Sequence, residues 1–289
     1  MQLIKEIGNT PMVEISEGLW AKAELMNPTG SIKDRPASWI LKHGGFDRDK
    51  YNTICEATSG NMGVSFAWLA ATLGCRCVIV MPSNMSEERK KTLEFYGAEL
   101  IEVPAGDFDG AIALRDRLCK ENGWFNCNQF ANKWNIEAHR RTTGMEIIDW
   151  AMDRGDLISA IVTGTGTGGT LMGCHKTVSA NYPDLKMVAV EPAESAVMSG
   201  GEAGVHGIQG IGDGSKFLVD MNYVDYISVI STEDAKARAR GLAKSHGLFV
   251  GISAGANILA AERFIEKTKP KGIVVTFLCD RGDRYFSCL

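Results

Sequence analysis

Asn52-Thr53-Ile54-Cys55-Glu56-Ala57-Thr58-Ser59-Gly60-Asn61-Met62-Gly63-Val64-Ser65-Phe66-Ala67-Trp68-Leu69 passes from an apolar β-rich run, through a short polar turn, into an apolar helical stretch. The strand covers Asn52 to Ala57. The helix runs from about Met62 to Leu73, where Gly74 stops it. The same unit repeats downstream. Arg76 to Met81 reads as a strand, Ser86-Glu87-Glu88 opens a helix with acidic residues at its positive end, Gly97 closes it, and Glu99 to Val103 is a strand again. Ile158 to Thr163, Lys186 to Val190 and Gly272 to Cys279 are further strands, with helices over roughly 169–180, 232–245 and 255–267. Strands alternating with helices predict an α/β fold of mostly parallel sheets flanked by helices on both faces. The pattern restarts near residue 140, after the polar stretch Asn126 to Arg141, which predicts two lobes with a cleft between them. Turns at the carboxyl ends of parallel strands are where such folds bind ligands.

The bulk properties narrow the function classes. The 289 residues suit one large domain or two lobes, and 45% hydrophobic with 23% charged residues is ordinary globular composition. A formal net charge of -4 gives no electrostatic reason to expect nucleic acid or an anionic membrane as partner. No apolar run is long enough to span a bilayer, and the opening residues lack a signal-peptide core, so a cytoplasmic location is expected. Eight scattered cysteines without a CxxC predict free thiols and no metal site.

Gly164-Thr165-Gly166-Thr167-Gly168-Gly169-Thr170 follows a strand and opens a helix. Without Cβ atoms the backbone can approach an anion, and successive N–H groups point at it from the helix start. The run lacks the GK[ST] of a P-loop, and its formal GxGxxG match lacks the acidic ribose partner, so a single small phosphate is favoured over a dinucleotide. A ligand-free tight turn is the plainer alternative.

Asn27-Pro28-Thr29-Gly30-Ser31-Ile32-Lys33-Asp34-Arg35-Pro36 is a turn-rich segment entering a helix near Pro36, and by local composition alone Lys33 reads as a surface lysine. Its order relative to Thr58-Ser59-Gly60-Asn61, Gly166–Thr170, Gly251-Ile252-Ser253-Ala254-Gly255 and Cys279-Asp280-Arg281-Gly282-Asp283-Arg284-Tyr285 resembles the cysteine synthase family. That family belongs to the tryptophan-synthase-β-like, fold-type II enzymes of pyridoxal phosphate. The likeness runs from Ile7-Gly8-Asn9-Thr10-Pro11 to Ser287, and Glu56 to Val103 with the CDRGDRY ending is most similar to the B-type enzymes.

The resemblance implies a two-lobed catalytic domain over residues 4–286, with a smaller lobe of about 34–135 and a larger one of about 1–33 plus 136–289. It implies that Lys33 forms the internal aldimine with pyridoxal 5'-phosphate and, once freed, removes the substrate α-proton. It assigns Asn61 to the ring oxygen, and Gly166, Thr167, Gly168, Gly169 and Thr170 to the phosphate. Ser253 would face the pyridine nitrogen, although it also reads as a helix cap. Thr58, Ser59, Gly60, Met62 and Gln129 are assigned to the substrate. The implied reaction is β-replacement: L-cysteine from O-acetylserine and sulfide or thiosulfate, through an α-aminoacrylate.

The departures from the family pattern leave the substrates open. Met62 stands where threonine is usual, as in cyanoalanine-forming relatives, or simply packs behind the loop. Cys279 stands where A-type members have proline. Arg140 and Arg141 form either a solvated pair or an entrance favouring an anionic, phosphorylated serine. Ile208-Gln209-Gly210-Ile211-Gly212-Asp213-Gly214 resembles the A-type active-site loop and is expected to close. The alternatives are therefore a cyanoalanine synthase, a cysteine desulfhydrase, an O-phosphoserine-dependent synthase or a minimal cystathionine β-synthase. Outside this mechanism stand a non-catalytic, partner-binding homologue and a nucleotide-binding reductase. An amino-acid substrate, a homodimer and a serine acetyltransferase partner complete the expectations.

Overall fold

The first two strands, β1 (Met12–Ser16) and β2 (Leu19–Lys22), form an antiparallel hairpin turned at Gly18, whose φ of +75° favours glycine. The computed structural model describes residues 3–58 and 60–289. After the hairpin come α1 (Asp34–His43), β3 (Thr53–Ala57), α2 (Asn61–Leu73), β4 (Arg76–Pro82), α3 (Glu87–Phe95), β5 (Glu99–Val103), α4 (Phe108–Asn122), β6 (Phe125–Asn126) and α5 (Lys133–Ala138). The remainder is α6 (Gly144–Arg154), β7 (Ile158–Gly164), α7 (Gly169–Val178), β8 (Lys186–Pro192), β9 (Tyr226–Ile230), α8 (Thr232–His246), α9 (Ile252–Thr268) and β10 (Ile273–Phe277).

The chain divides into two units. Lys33–Asn135, with the residues up to Ile7, form one; Gly8–Ile32 and Ile136–Leu289 form the other. The first is built on a four-stranded parallel sheet in the order β5-β4-β3-β6. All five residues of β3 are buried: Ile54 joins one apolar cluster with Phe66 and Leu69 of α2, while Cys55 and Ala57 join another with Ala111 and Cys119 of α4. A strand covered on both faces shows no polar alternation, which is why its sequence is a continuous run. Helix α2 is buried from Met62 to Ala70, so it lacks a polar stripe as well. Each fully buried side chain such as Phe66 or Ile54 contributes about 1.5–3 kcal/mol.

The second unit is a six-stranded sheet in the order β1-β2-β10-β7-β8-β9, parallel except for the hairpin. Its two faces carry separate cores. One gathers Leu19, Val162, Val190, Ile252 and Ile258; the other gathers Ile147, Ile161, Leu171, Met187 and Phe277.

Several boundaries differ from the sequence expectation. Helix α9 begins at Ile252 rather than near Gly255, and α1 begins at Asp34 rather than near Pro36. The hairpin, α4, α6 and β9 lie in stretches without an assigned element. The reason is clearest for β9 (YISVI), a half-exposed edge strand of only five residues. Among the described residues no helix is long and apolar enough to cross a membrane, and no group of His, Cys, Asp or Glu is arranged to hold a metal ion.

Candidate active site

In the first unit, Lys33 occupies the N-cap position of α1 and is half-buried. Its carbonyl accepts the Ala37 N–H at 3.1 Å, and the next two side chains, Asp34 and Arg35, are buried. Asp34 accepts the Ser65 hydroxyl of α2 at 2.6 Å, which ties the start of α1 to α2. The lysine therefore stands on a fixed backbone and not on a mobile surface loop. Asn61 is the first residue of α2, entered through Gly60. The Thr58 N–H donates to the Val80 carbonyl at 3.1 Å, and its Oγ1 accepts the Gly60 N–H at 3.3 Å. A Cβ on Gly63 would stand 2.9 Å from Thr58 Cγ2, so the first turn of α2 packs directly on Thr58. Ser59 lies outside the described residues. Met62 is 2% exposed and its side chain sits in the core cluster with Phe66, Leu69 and Ile79.

Gln129 is buried beside this loop. Its N–H donates to Glu56 Oε2 at 2.9 Å, its carbonyl accepts Asn135 Nδ2 at 3.0 Å, and its own amide reaches the Ala57 carbonyl at 3.4 Å. Glu56 is paired with Arg115 of α4 at 2.7 Å, both being 1% exposed. Burial pushes the Glu56 carboxyl upward against the pull of Arg115 and the Gln129 and Ala57 amides. Burial alone would lower the Arg115 guanidinium; Glu56 and Asp116 outweigh it and hold Arg115 above its ordinary value.

The second unit carries the glycine loop between β7 and α7. The Gly164 N–H donates to Asn257 Oδ1 at 2.7 Å, Thr165 N–H to the Val190 carbonyl at 3.1 Å, and the Thr165 and Thr167 carbonyls accept Gly212 and Leu218 N–H at 3.0 Å each. A Cβ on Gly166 would lie 2.6 Å from the Gly210 carbonyl oxygen, and one on Gly168, whose φ is +87°, only 2.5 Å from Val219 Cγ2. Gly168 is also the N-cap of α7 and has no side chain to cap it, while the Gly169 N–H reaches Thr167 Oγ1 at a long 3.5 Å. A tight, buried glycine run at a helix start fits a bound phosphate. Thr170 Oγ1 sits 3.3 Å from His139 Nε2, and His139 Nδ1 lies 3.0 Å from Thr143 Oγ1. The 208–214 loop, expected to close, packs on the glycine run through Gly210 and Gly212.

Ser253 lies in the first turn of α9 and is 4% exposed. The N-cap of that helix is Gly251, so Ser253 is not the cap. One turn later, Asn257 accepts from Gly164 and donates to the Phe277 carbonyl at 3.0 Å. It thereby links the Ser253 face of α9 to the glycine loop and to the end of β10. Cys279 Sγ lies 3.4 Å from Asn257 Nδ2.

The same unit holds the approach to Lys33. The Ile32 N–H donates to the Cys279 carbonyl at 2.9 Å, Ser31 bridges to Asp280, Arg281 Nε reaches the Leu25 carbonyl at 3.2 Å, and Arg284 donates to the Thr29 carbonyl. The CDRGDRY ending thus clamps the NPTGSI segment. Arg140 and Arg141 are exposed and both bond Glu137 on their own helical segment, at 3.2 and 2.9 Å. Asn257, His139, Glu56 and Arg115 were not singled out by the sequence reading. Asn257, four residues after Ser253, carried a spacing signal; the other three became visible only through tertiary contacts.

Known proteins match the chain over nearly its whole length. The family described as "Pyridoxal-phosphate dependent enzyme" matches residues 3–280. The chain is 39% identical to a cysteine synthase of Staphylococcus aureus over 97% of this chain and 94% of the relative. Among solved structures it is similar to a hydrogen sulfide-producing enzyme of Fusobacterium nucleatum, with a TM-score of 0.93, 36% identity, and 99% and 90% of the two chains covered. It is also similar to an O-ureido-L-serine synthase, with a TM-score of 0.91, 35% identity, and 99% and 93% covered.

Proposed function

The chain belongs to the pyridoxal-phosphate dependent enzyme family, and from that premise we propose that it is a cysteine synthase, making L-cysteine from O-acetylserine and sulfide or thiosulfate. The observation that carries the reading is the 39% identity to a cysteine synthase across 97% of the chain. The catalytic domain is assigned to residues 4–286.

When bound, pyridoxal phosphate supplies an aldehyde that condenses with amines and a ring that withdraws electrons from the substrate Cα. Lys33 Nζ would hold the cofactor and move the proton at substrate Cα, a task suited to an amine on a fixed helix start. Gly166, Thr167, Gly168, Gly169 and Thr170 bind the phosphate through N–H groups and hydroxyls. Asn61 orients the ring oxygen. Ser253 Oγ would face the ring nitrogen, where a neutral hydroxyl would not enforce protonation as a carboxylate would. Thr58, Ser59, Gly60 and Gln129 hold the substrate carboxylate, with Met62 packing the loop from the core side. Acetate leaves Cβ with its bonding pair, HS⁻ forms the new C–S bond, and Lys33 returns the proton to Cα.

The likeness to a hydrogen sulfide-producing enzyme favours one second reading, in which cysteine is the donor and sulfide leaves. We extend the assignment to a homodimer that binds serine acetyltransferase. A cytoplasmic location is supported by eight free thiols and the lack of a membrane-length apolar helix among the described residues.

Purified protein loaded with cofactor is expected to absorb near ~410 nm, the range of a lysine-bound, protonated cofactor. Lys33→Ala is expected to lose that band and all turnover while keeping its fold. O-acetylserine is expected to shift the spectrum, and sulfide to restore it with release of cysteine. Retention of the band in Lys33→Ala would remove Lys33 from its role. A spectrum that responds only to O-phosphoserine or cysteine would overturn the donor while leaving the cofactor assignment standing.

A further inference from the structure

Strand β6 leaves the sheet just where the candidate substrate loop begins. It pairs with β3 at Ile54 and Cys55, and the last rung is the Cys127 N–H to the Cys55 carbonyl at 3.1 Å. Continued in parallel register, the next rungs would run from Ala57 N–H to the Cys127 carbonyl and from Gln129 N–H to the Ala57 carbonyl. Neither forms. The Ala57 N–H goes to Glu56 Oε1 at 2.8 Å, and the Gln129 N–H goes to Glu56 Oε2 at 2.9 Å. The Cys127 carbonyl is taken by Asn132 Nδ2 at 2.9 Å. One carboxylate therefore replaces two rungs, one oxygen for each strand. It fixes how far the backbone before Thr58 stands from the backbone of Gln129.

Arg115 completes the wedge. Nη1 meets Glu56 Oε1 at 2.7 Å, and Nη2 reaches Asn128 Oδ1 at 3.4 Å. Asn128 has φ +46°, an uncommon conformation for a side-chain-bearing residue, and it directly precedes Gln129. Arg115 is itself oriented by Asp116, at 2.8 Å. Stability does not explain such a pair: two charges buried in an apolar layer are often matched or bettered by hydrophobic residues of similar size. What an apolar pair cannot supply is two anionic acceptors facing two amides.

We propose that Glu56 and Arg115 are positioning residues that set the spacing between the Thr58 loop and Gln129, and so the fit for the amino-acid substrate's carboxylate. The proposal rests on the assignment of Thr58 and Gln129 to that carboxylate.

The test compares Arg115→Met, Arg115→Lys and Glu56→Gln with Gln129→Ala as the reference, all in the full chain. Amide hydrogen exchange at Ala57 and Gln129, read with and without cofactor, is expected to quicken about tenfold in Arg115→Met, the equivalent of one charge-assisted hydrogen bond. KM for the amino-acid donor is expected to rise about tenfold on the same grounds, with cofactor affinity and the KM for sulfide held within about twofold. Arg115→Lys should recover most of both effects, and Glu56→Gln should fall between.

If Gln129→Ala raises the donor KM and Arg115→Met does not, the positioning proposal fails alone. If Gln129→Ala leaves the donor KM unchanged, the carboxylate assignment fails and the proposal falls with it. Equal losses in donor KM, sulfide KM and cofactor affinity would mark the pair as merely structural. Should Arg115→Met not fold, Arg115→Lys and Glu56→Gln, which nearly conserve volume, decide by the same split.

Discussion

Replacing Gly168 by alanine separates the two demands that the glycine loop makes on its backbone. The first is conformational: φ is +87°, where an L-residue costs about 1–2 kcal/mol. The second is steric, since the new methyl would stand 2.5 Å from Val219 Cγ2 and 2.9 Å from Val219 N, the latter being backbone that cannot rotate away. Overpacking of this kind adds about 1–3 kcal/mol. Gly200 supplies the control, with φ +88° and nothing within 4 Å of an added Cβ. Both alanine variants share the conformational cost, so their difference isolates packing. Urea unfolding is expected to place Gly168→Ala roughly 1–3 kcal/mol below Gly200→Ala. Titration with pyridoxal phosphate is expected to show weaker binding in Gly168→Ala alone. Equal midpoints and equal affinities in the two variants would refute the close packing of this loop and its part in holding phosphate.

Lys22 is 1% exposed and bonds both the Thr10 carbonyl at 2.7 Å and Glu146 at 2.8 Å. Glu146 is 17% exposed, so Lys22→Met strands no fully buried charge and is expected to cost about 1–3 kcal/mol in urea unfolding from the lost hydrogen bonds, and an unchanged midpoint would count against it. His175 has its pKa lowered, first by burial and further by Lys176, with Asp225 and Asp220 opposing; its ring stacks on Tyr223 with centroids 4.4 Å apart. Because the unfolded chain binds that proton more readily, this contribution is full above the ordinary imidazole range and is lost as pH falls toward the lowered folded value. His175→Phe keeps the stack and should flatten the stability profile over that window; an unaltered slope would exclude His175 as its source. Thiol titration of the native chain is expected to find at most three fast groups, Cys75, Cys279 and Cys288, because Cys55, Cys77, Cys119, Cys127 and Cys174 are buried. All eight should react once the chain is unfolded, and fast labelling of Cys77 or Cys127 would contradict their burial.

The strands and helices around the glycine loop and the TSGN loop were legible because glycines, polar turns and buried apolar runs leave local marks. The assignment proposed for Lys33 rests only on distant motifs. The structure supplies the reason: its approach segment is held by the CDRGDRY ending, more than two hundred residues away, through Ile32–Cys279 and Arg284–Thr29. Met62 was open to two readings, one beside the substrate and one packed behind the loop, and its side chain joins the core cluster with Phe66 and Leu69. Arg140 and Arg141 carry charge that a neighbouring Glu137 already meets, a fact that i, i+3 and i, i+4 spacing could have supplied. Glu56 and Arg115 are 59 residues apart in sequence and left no local mark, since a carboxylate that replaces ladder rungs is visible only once the strands are paired.

The parallel pairing of β2 with β10 joins Leu19 to Val274 and Lys22 to Phe277. During synthesis this places the larger sheet under a waiting time. The strands of the smaller sheet all lie within residues 53–126 and emerge close together, whereas the hairpin must hold an unpaired edge until β10 emerges. At typical elongation rates that interval is roughly 10–50 s. Throughout it the apolar face of Leu19 and Ala21 lacks its neighbour, so nascent-chain chaperoning should matter most for these first strands, and least for the block that follows them.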